Sequence, residues 1–489
     1  MALIIILVVV GGTVAIYTVP QLRNLIGLGP GGEEAPTAPS LEQGPTPGAP
    51  SYNIEIITRI EKYMVTLELL EAGGFLIASN MRYEGDPVAG GSPTAKIMYA
   101  IDPLAKSQEE LQSWPLANMP RASLINYDDN YLYFTVEQSR DILTYDILER
   151  TLYKSTPPAF GVIDNGVVYW IEWDLDLPTY IIYGYSLLDD RYVLNVSVDL
   201  GSYGSYWVMS VSLVGVYQDA DAKVFVVGVG LEDINKDLWH SGIEVVKVYP
   251  DGSFDKNSFF APRQPLRRIT GIYYYDIFLG YNNGRLYHIY GLSGFEGYVS
   301  PRNITMDIIS LDGRLMCRVM FEDRMILQVP IELDERAWLD YIVKFVGDKV
   351  AIVYQLGKGH LVYTLLGSDC SIVSRVEYQY INPPNRLSGK IMDLYWYGDS
   401  LYLLIRIKEA AEPIPIFKFY IVRLGPDGYE ELVELRSALT SNKDVFGEAD
   451  SFNFRIYQFT IYGNDIYVSV MVETRGSIYT YIIKIGGQL

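Results

Sequence analysis

Histidines, cysteines and clustered carboxylates are the side chains here that could do chemistry, and each set is small. The three histidines, His240, His288 and His360, are far apart, too few for a His-rich metal site. His288 lies in the apolar run LYHIY, which suits a core or loop-facing side chain; His240 follows Trp239 in a segment that reads as a surface loop. Acidic pairs at Asp128/Asp129, Asp189/Asp190 and Asp219/Asp221 invite calcium, which needs six or more oxygens in fixed geometry. None fits an EF-hand loop, and all sit where Asp favours a turn for backbone reasons. Asp219-Ala220-Asp221 is the best of them, and no metal is expected. Cys317 and Cys370 each fall near the end of a repeat unit. They read either as one disulfide in an oxidising compartment or as two buried small hydrophobes.

Aromatic clusters at Trp170/Trp173, Tyr273-Tyr274-Tyr275 and Tyr395-Trp396-Tyr397 have the faces needed to stack on sugars, although core packing explains most of them as well. Two sequons, Asn195-Val196-Ser197 and Asn303-Ile304-Thr305, suit N-glycosylation of a body outside the cell. No Gly-x-Ser-x-Gly elbow, P-loop, HExxH or CxxCH occurs. The expectation is a chain that is not an enzyme and carries no cofactor. An enzyme working in the central funnel of a propeller would be revived by perturbed carboxylates converging there.

The elements that must position these residues are β-strands. Tyrosine is the outstanding residue, with 41 copies, and Thr, Ile and Val are common. Such side chains fit a pleated, half-buried surface. The formal net charge of −20 argues against nucleic acid or anionic lipid as a partner, since both need basic surface.

Met1 to Val19 is a run with no charged side chain. Its large apolar members are Met1, Leu3, Ile4, Ile5, Ile6, Leu7, Val8, Val9, Val10, Val14, Ile16, Tyr17 and Val19. As a helix the run spans about 28 Å, roughly a bilayer core. Its burial is worth on the order of 20–40 kcal/mol as an upper bound. Gly11-Gly12 permits close helix approach, and Pro20 kinks or ends the helix.

The stretch Met1 to Val10, running on to Val19-Pro20-Gln21, resembles the mature N-terminus of type IV pilins. The resemblance implies a short basic leader cut just before an apolar helix, and helices that bundle into a filament core. Ile5 stands where bacterial pilins usually carry Glu, and archaeal type IV pilins commonly lack that Glu, so the likeness leans toward archaea. The first basic residue, Arg23, follows the run, which fits a mature chain without its leader. A plain membrane anchor and a donor strand completing a neighbour's sheet stand as other readings of the same run.

Residues 27–51 are a spacer punctuated by Pro30, Pro36, Pro39, Pro45, Pro47 and Pro50, which forbid regular helix and sheet. Beyond it, a tight turn before an apolar strand recurs eight times, from Gly73-Gly74 through Asp164-Asn165-Gly166 and Asn282-Asn283-Gly284 to Gly463-Asn464-Asp465. The period is about 56 residues, with four strands to a unit, the pattern of a β-propeller. The last unit stops after three strands, and a spare strand at 51–60 precedes the first, so pairing these two would close a ring. The expected organisation is an apolar helix over 1–26, a linker over 27–51 and a mainly β propeller over 52–489. Eight blades are expected, with seven, or a pair of β-sandwiches, as the competing counts.

The function this implies is a structural subunit of an extracellular, archaeal pilus-like filament. Its partners would be copies of itself through the N-terminal helix, with a propeller surface that adheres to glycans or other surfaces. The alternative is a membrane-anchored extracellular propeller that binds a glycan or an envelope partner as a monomer.

Overall fold

In a computed structural model of the chain, each unit of turn and apolar strand folds into an antiparallel blade of four strands, to which Leu266–Arg267 adds a short fifth strand in one blade. The structure describes residues 53–486 apart from 116–121, 137–138, 176, 268–271, 295–301, 322–342, 356–358, 382–384, 411–415, 447–452 and 475–476. Blades I to VII occupy residues 64–115, 122–155, 162–199, 207–267, 272–320, 343–379 and 386–434. Blade VIII takes Asn453–Tyr462, Asp465–Thr474 and Ser477–Gly486, and receives its fourth strand, Asn53–Lys62, from the far end of the described chain.

This closing pair is antiparallel, with Ile54 opposite Ile485, Ile56 opposite Ile483 and Ile60 opposite Thr480. The spare first strand and the missing last one therefore meet. The ring has eight blades rather than seven, and it is not a pair of sandwiches. Contacts between the first strands of neighbouring blades, such as Met64–Ala72 with Asn453–Tyr462 and Arg386–Tyr397 with Asn453–Tyr462, put the first strand of each blade on the axis side.

Strand alternation explains where the core sits. Successive side chains leave a strand on opposite faces, so each blade offers apolar residues to both neighbours. Eight buried clusters result, one for each junction between consecutive blades. Leu70, Ile77 and Met98 of blade I meet Leu132, Phe134 and Tyr145 of blade II. Ile57, Ile60 and Ile482 of blade VIII meet Met64, Leu76 and Ile97 of blade I. The remaining six junctions are filled in the same way.

The hairpin turns follow their chemistry. Asn165-Gly166 and Asn283-Gly284 both hold two successive residues at positive φ, the geometry of the type I′ turn that matches strand twist. A short helix, α1 (Leu435–Ser441), follows blade VII, with the Glu434 side chain accepting from the backbone N–H groups of Arg436 and Ser437. Among the described residues, no helix is long and apolar enough to cross a membrane. The apolar helix expected over residues 1–26 and the spacer over 27–51 lie outside the described residues.

Candidate functional site

The acidic pairs serve the turns that carry them. Asp128 accepts from the backbone N–H groups of Asn130 and Tyr131, each at 2.9 Å, and from the Tyr133 hydroxyl at 2.5 Å. Asp219 accepts from Lys247 Nζ at 2.5 Å and from the Tyr281 hydroxyl at 2.7 Å. These bonds from Lys247 and Tyr281 hold the Asp219 carboxyl down at about 2. In the third pair, Asp190 accepts from the Tyr185 hydroxyl and Asp189 from Ser186. Among the described residues, no group of three or more His, Cys, Asp or Glu is placed to hold a metal ion.

Tyrosine hydroxyls tie these turns together around the ring. The Tyr133 hydroxyl of blade II accepts from Gly166 N of blade III at 2.7 Å. Tyr363 donates to Asp399 O, Tyr397 to Gly463 O and Tyr462 to Gly74 O, each reaching the first turn of the next blade. Asn282 does the same for Gly347 O, and Lys223 pairs with Asp164 of blade III at 2.7 Å. A tyrosine ring on one blade with its hydroxyl on the neighbour's turn, buried at Tyr133 and Tyr363, is a use of tyrosine that composition alone reads only as strand preference.

Two further carboxylates are fully buried, and a third, Asp393, is half-buried. Glu244, in blade IV, is fully buried and accepts from the Tyr180 hydroxyl (2.8 Å), the Tyr203 hydroxyl (3.1 Å) and Gly201 N (2.6 Å). Burial, together with this carboxylate, pushes both tyrosine hydroxyls well above their usual range. Asp307, in blade V, is fully buried and receives the Arg318 guanidinium at 2.6 and 2.8 Å and the Tyr290 hydroxyl at 3.2 Å. Asp393 lies on the axis-side strand of blade VII, beside a bulge in that strand. It accepts from Leu394 N at 2.9 Å and from Phe459 N of blade VIII at 3.0 Å. Desolvation nevertheless outweighs these bonds and raises its carboxyl to about 7.

Two of the histidines join this interior. His240 is in a strand, Leu238–Val248, not a surface loop, because it pairs with Leu231 of the preceding strand. Its ring packs edge-on against Tyr206 and Phe260, and burial, with Arg263 nearby, lowers its proton affinity. His288 is buried beside Tyr290 and opposite Asp307. Arg263 bridges the two sides of this junction, bonding Ser241 of blade IV and lying 5.2 Å over the Tyr290 ring of blade V. His360 is apart from them in blade VI, paired with Glu377 at 3.0 Å.

Strand alternation divides the aromatic runs. Trp170 faces blade II and Trp173 faces blade IV. Tyr395 packs toward blade VIII and Trp396 toward blade VI, while Tyr397 reaches the turn of blade VIII. Tyr273, Tyr274 and Tyr275 lie on the axis-side strand Ile272–Asn282 of blade V. Asn195 is exposed on the outermost strand of blade III, and Asn303 lies on the third strand of blade V. Cys317 and Cys370 are joined in a disulfide, with Cα atoms 5.9 Å apart, that clamps blade V to blade VI.

No protein-family model matches the chain, and no curated protein matches it in sequence. Solved structures similar to it include Kluyveromyces lactis Hsv2, with 10% identity and a TM-score of 0.32 over 72% of this chain and 96% of that one. Pyrococcus horikoshii acylaminoacyl peptidase has 11% identity and a TM-score of 0.35, over 84% of this chain and 58% of that one. Oligopeptidase B from Leishmania major has 10% identity and a TM-score of 0.37, over 86% and 54%. The chain thus spans little more than half the length of either peptidase. The expectation that this chain is not an enzyme is corrected on this point. A lack of familiar catalytic motifs is no ground for setting enzymes aside, because one fold hosts many chemistries. At this level of similarity neither peptidase brings its activity to this chain.

Proposed function

We propose that the chain is a structural subunit of an extracellular type IV pilus-like filament, with the segment from Leu3 to Val19 in its core and the propeller on its outside. The observation that carries this reading is the contrast between two parts of one chain. The described residues of the propeller fill all eight of its own junctions. The uncharged run at residues 1–19 has no such provision in its own sequence and must be covered by other apolar matter. Copies of itself supply that cover in the likeness to type IV pilins. The disulfide between blades V and VI suits an oxidising exterior.

The test is electron microscopy of protein sheared from native cells, beside a chain lacking residues 2–19. Regular filaments that vanish with the deletion support the reading, and filaments that survive it refute it. Single particles that need detergent would make the run a membrane anchor and the propeller a tethered binding module.

A further inference from the structure

Blade III carries a row of side chains that no single stretch of sequence announces. Trp170, Tyr183 and Asn195 stand opposite one another on three adjacent strands. Trp170 and Tyr183 stack with centroids 5.2 Å apart and planes at 23°. Tyr192, on the same strand as Asn195, closes on them at 5.7 Å from Tyr183 and 6.0 Å from Trp170. Tyr192 is nonetheless 52% exposed. The row ends at Asn195, which is exposed on the outermost strand of the blade.

Asn195 begins the sequon Asn195-Val196-Ser197. Side chains two apart on a strand share a face. Asn195 and Ser197 are both exposed, while Val196 between them is buried. The second sequon is placed differently. Asn303 lies on a strand flanked on both sides by others of blade V, and Thr305 is buried.

We propose that Asn195 is N-glycosylated and that the first sugar of its glycan rests on the Tyr192 and Tyr183 rings. This rests on the exterior location in the proposed function. The donor is a sugar activated as a lipid-linked glycosyl phosphate, used by a separate glycosyltransferase. The Asn195 amide nitrogen forms a bond to the anomeric carbon and gives up one proton to a base of that enzyme. The anomeric C–O bond breaks, and the lipid phosphate leaves with its electron pair. The apolar face of a hexose carries several C–H groups, which suit the negative face of a half-exposed tyrosine ring. Both rings lie beside the attachment point, so the sugar need not fold back far to reach them.

The experiment is peptide mass spectrometry of the full chain purified from its native cells, with surface labelling of intact cells on the same culture. A hexose or N-acetylhexosamine increment on the Asn195 peptide, with Asn303 bare, is the expected result. A bare Asn195 overturns the proposal wherever the protein is found, and the surface labelling then shows whether the exterior location fails with it. The ring contact is read from melting temperature in the same host. Asn195→Gln should lower it by about 1–2 °C, since 1 kcal/mol moves a large domain by only a few degrees. In a Tyr192→Ala background, the same change should leave it unmoved. Equal shifts in both backgrounds would overturn the sugar-on-ring contact.

Discussion

Removing the closing strand tests the ring most directly. A chain beginning at Tyr52 keeps Asn53–Lys62, whereas one beginning at Met64 loses it. The strand contributes Ile54, Ile57 and Ile60 at 6%, 3% and 1% exposure. At about 1.5–3 kcal/mol for each fully buried Ile, its loss costs about 5–9 kcal/mol, comparable with the whole stability of an ordinary domain. It also bares the edge of Ser477–Gly486, an invitation to aggregate. Urea unfolding of the two chains, followed by circular dichroism and tryptophan fluorescence, reads the difference. The longer chain should unfold in one transition, and the shorter should be unfolded or aggregated before urea is added. The point variant Ile60→Ala should lie between them, at a cost of about 2–5 kcal/mol. Equal midpoints for the two truncated chains would refute the claim that this strand holds the ring shut.

Reducing the Cys317–Cys370 disulfide, which bridges a sequence separation of 53, should destabilise the propeller by about 4 kcal/mol in the chain-entropy account. A thermal melt with and without reductant reads it, and Cys317→Ser should make the melt indifferent to reductant. Glu244→Ala should cost about 3 kcal/mol or more, because it strips the buried Tyr180 and Tyr203 hydroxyls and Gly201 N of their acceptor. Glu244→Gln should recover part of that in urea unfolding. Asp393 has a folded-state proton affinity raised to about 7, so its stabilising share is complete below about pH 4 and is lost as pH rises through 7. Wild type should therefore gain stability over Asp393→Asn, by up to about 4 kcal/mol, as pH falls from 8 to 4. A difference that does not change with pH would refute that raised proton affinity.

Much of the fold was legible because tight turns repeat at a regular period and strands alternate in polarity. The spare strand at 51–60 and the unit that ends one strand short named their own partner. The interior polar groups were not legible. Glu244, Asp307 and Asp393 look like ordinary strand carboxylates until Tyr180 of blade III, Arg318 on the paired strand of the same blade, and Phe459 N of blade VIII reach them in turn. His240 seemed to lie in a loop because the polar stretch from Glu232 to Asp237 precedes it and Ser241-Gly242 follow it, yet cross-strand pairing with Leu231 keeps it in the sheet. The aromatic runs misled for a related reason. Neighbours in sequence point to opposite junctions, whereas Trp170, Tyr183 and Tyr192 gather only through pairing between strands.

The same pairing sets a timetable for biogenesis. Asn53–Lys62 leaves the ribosome early, and its partner Ser477–Gly486 follows roughly 420 residues later, about 20–80 s at ordinary elongation rates. Throughout that interval, blades I to VII can assemble in order while the first strand waits unpaired. The ring thus completes only after translation of the last blade. Whatever shields that waiting strand from other nascent chains governs the yield of folded protein.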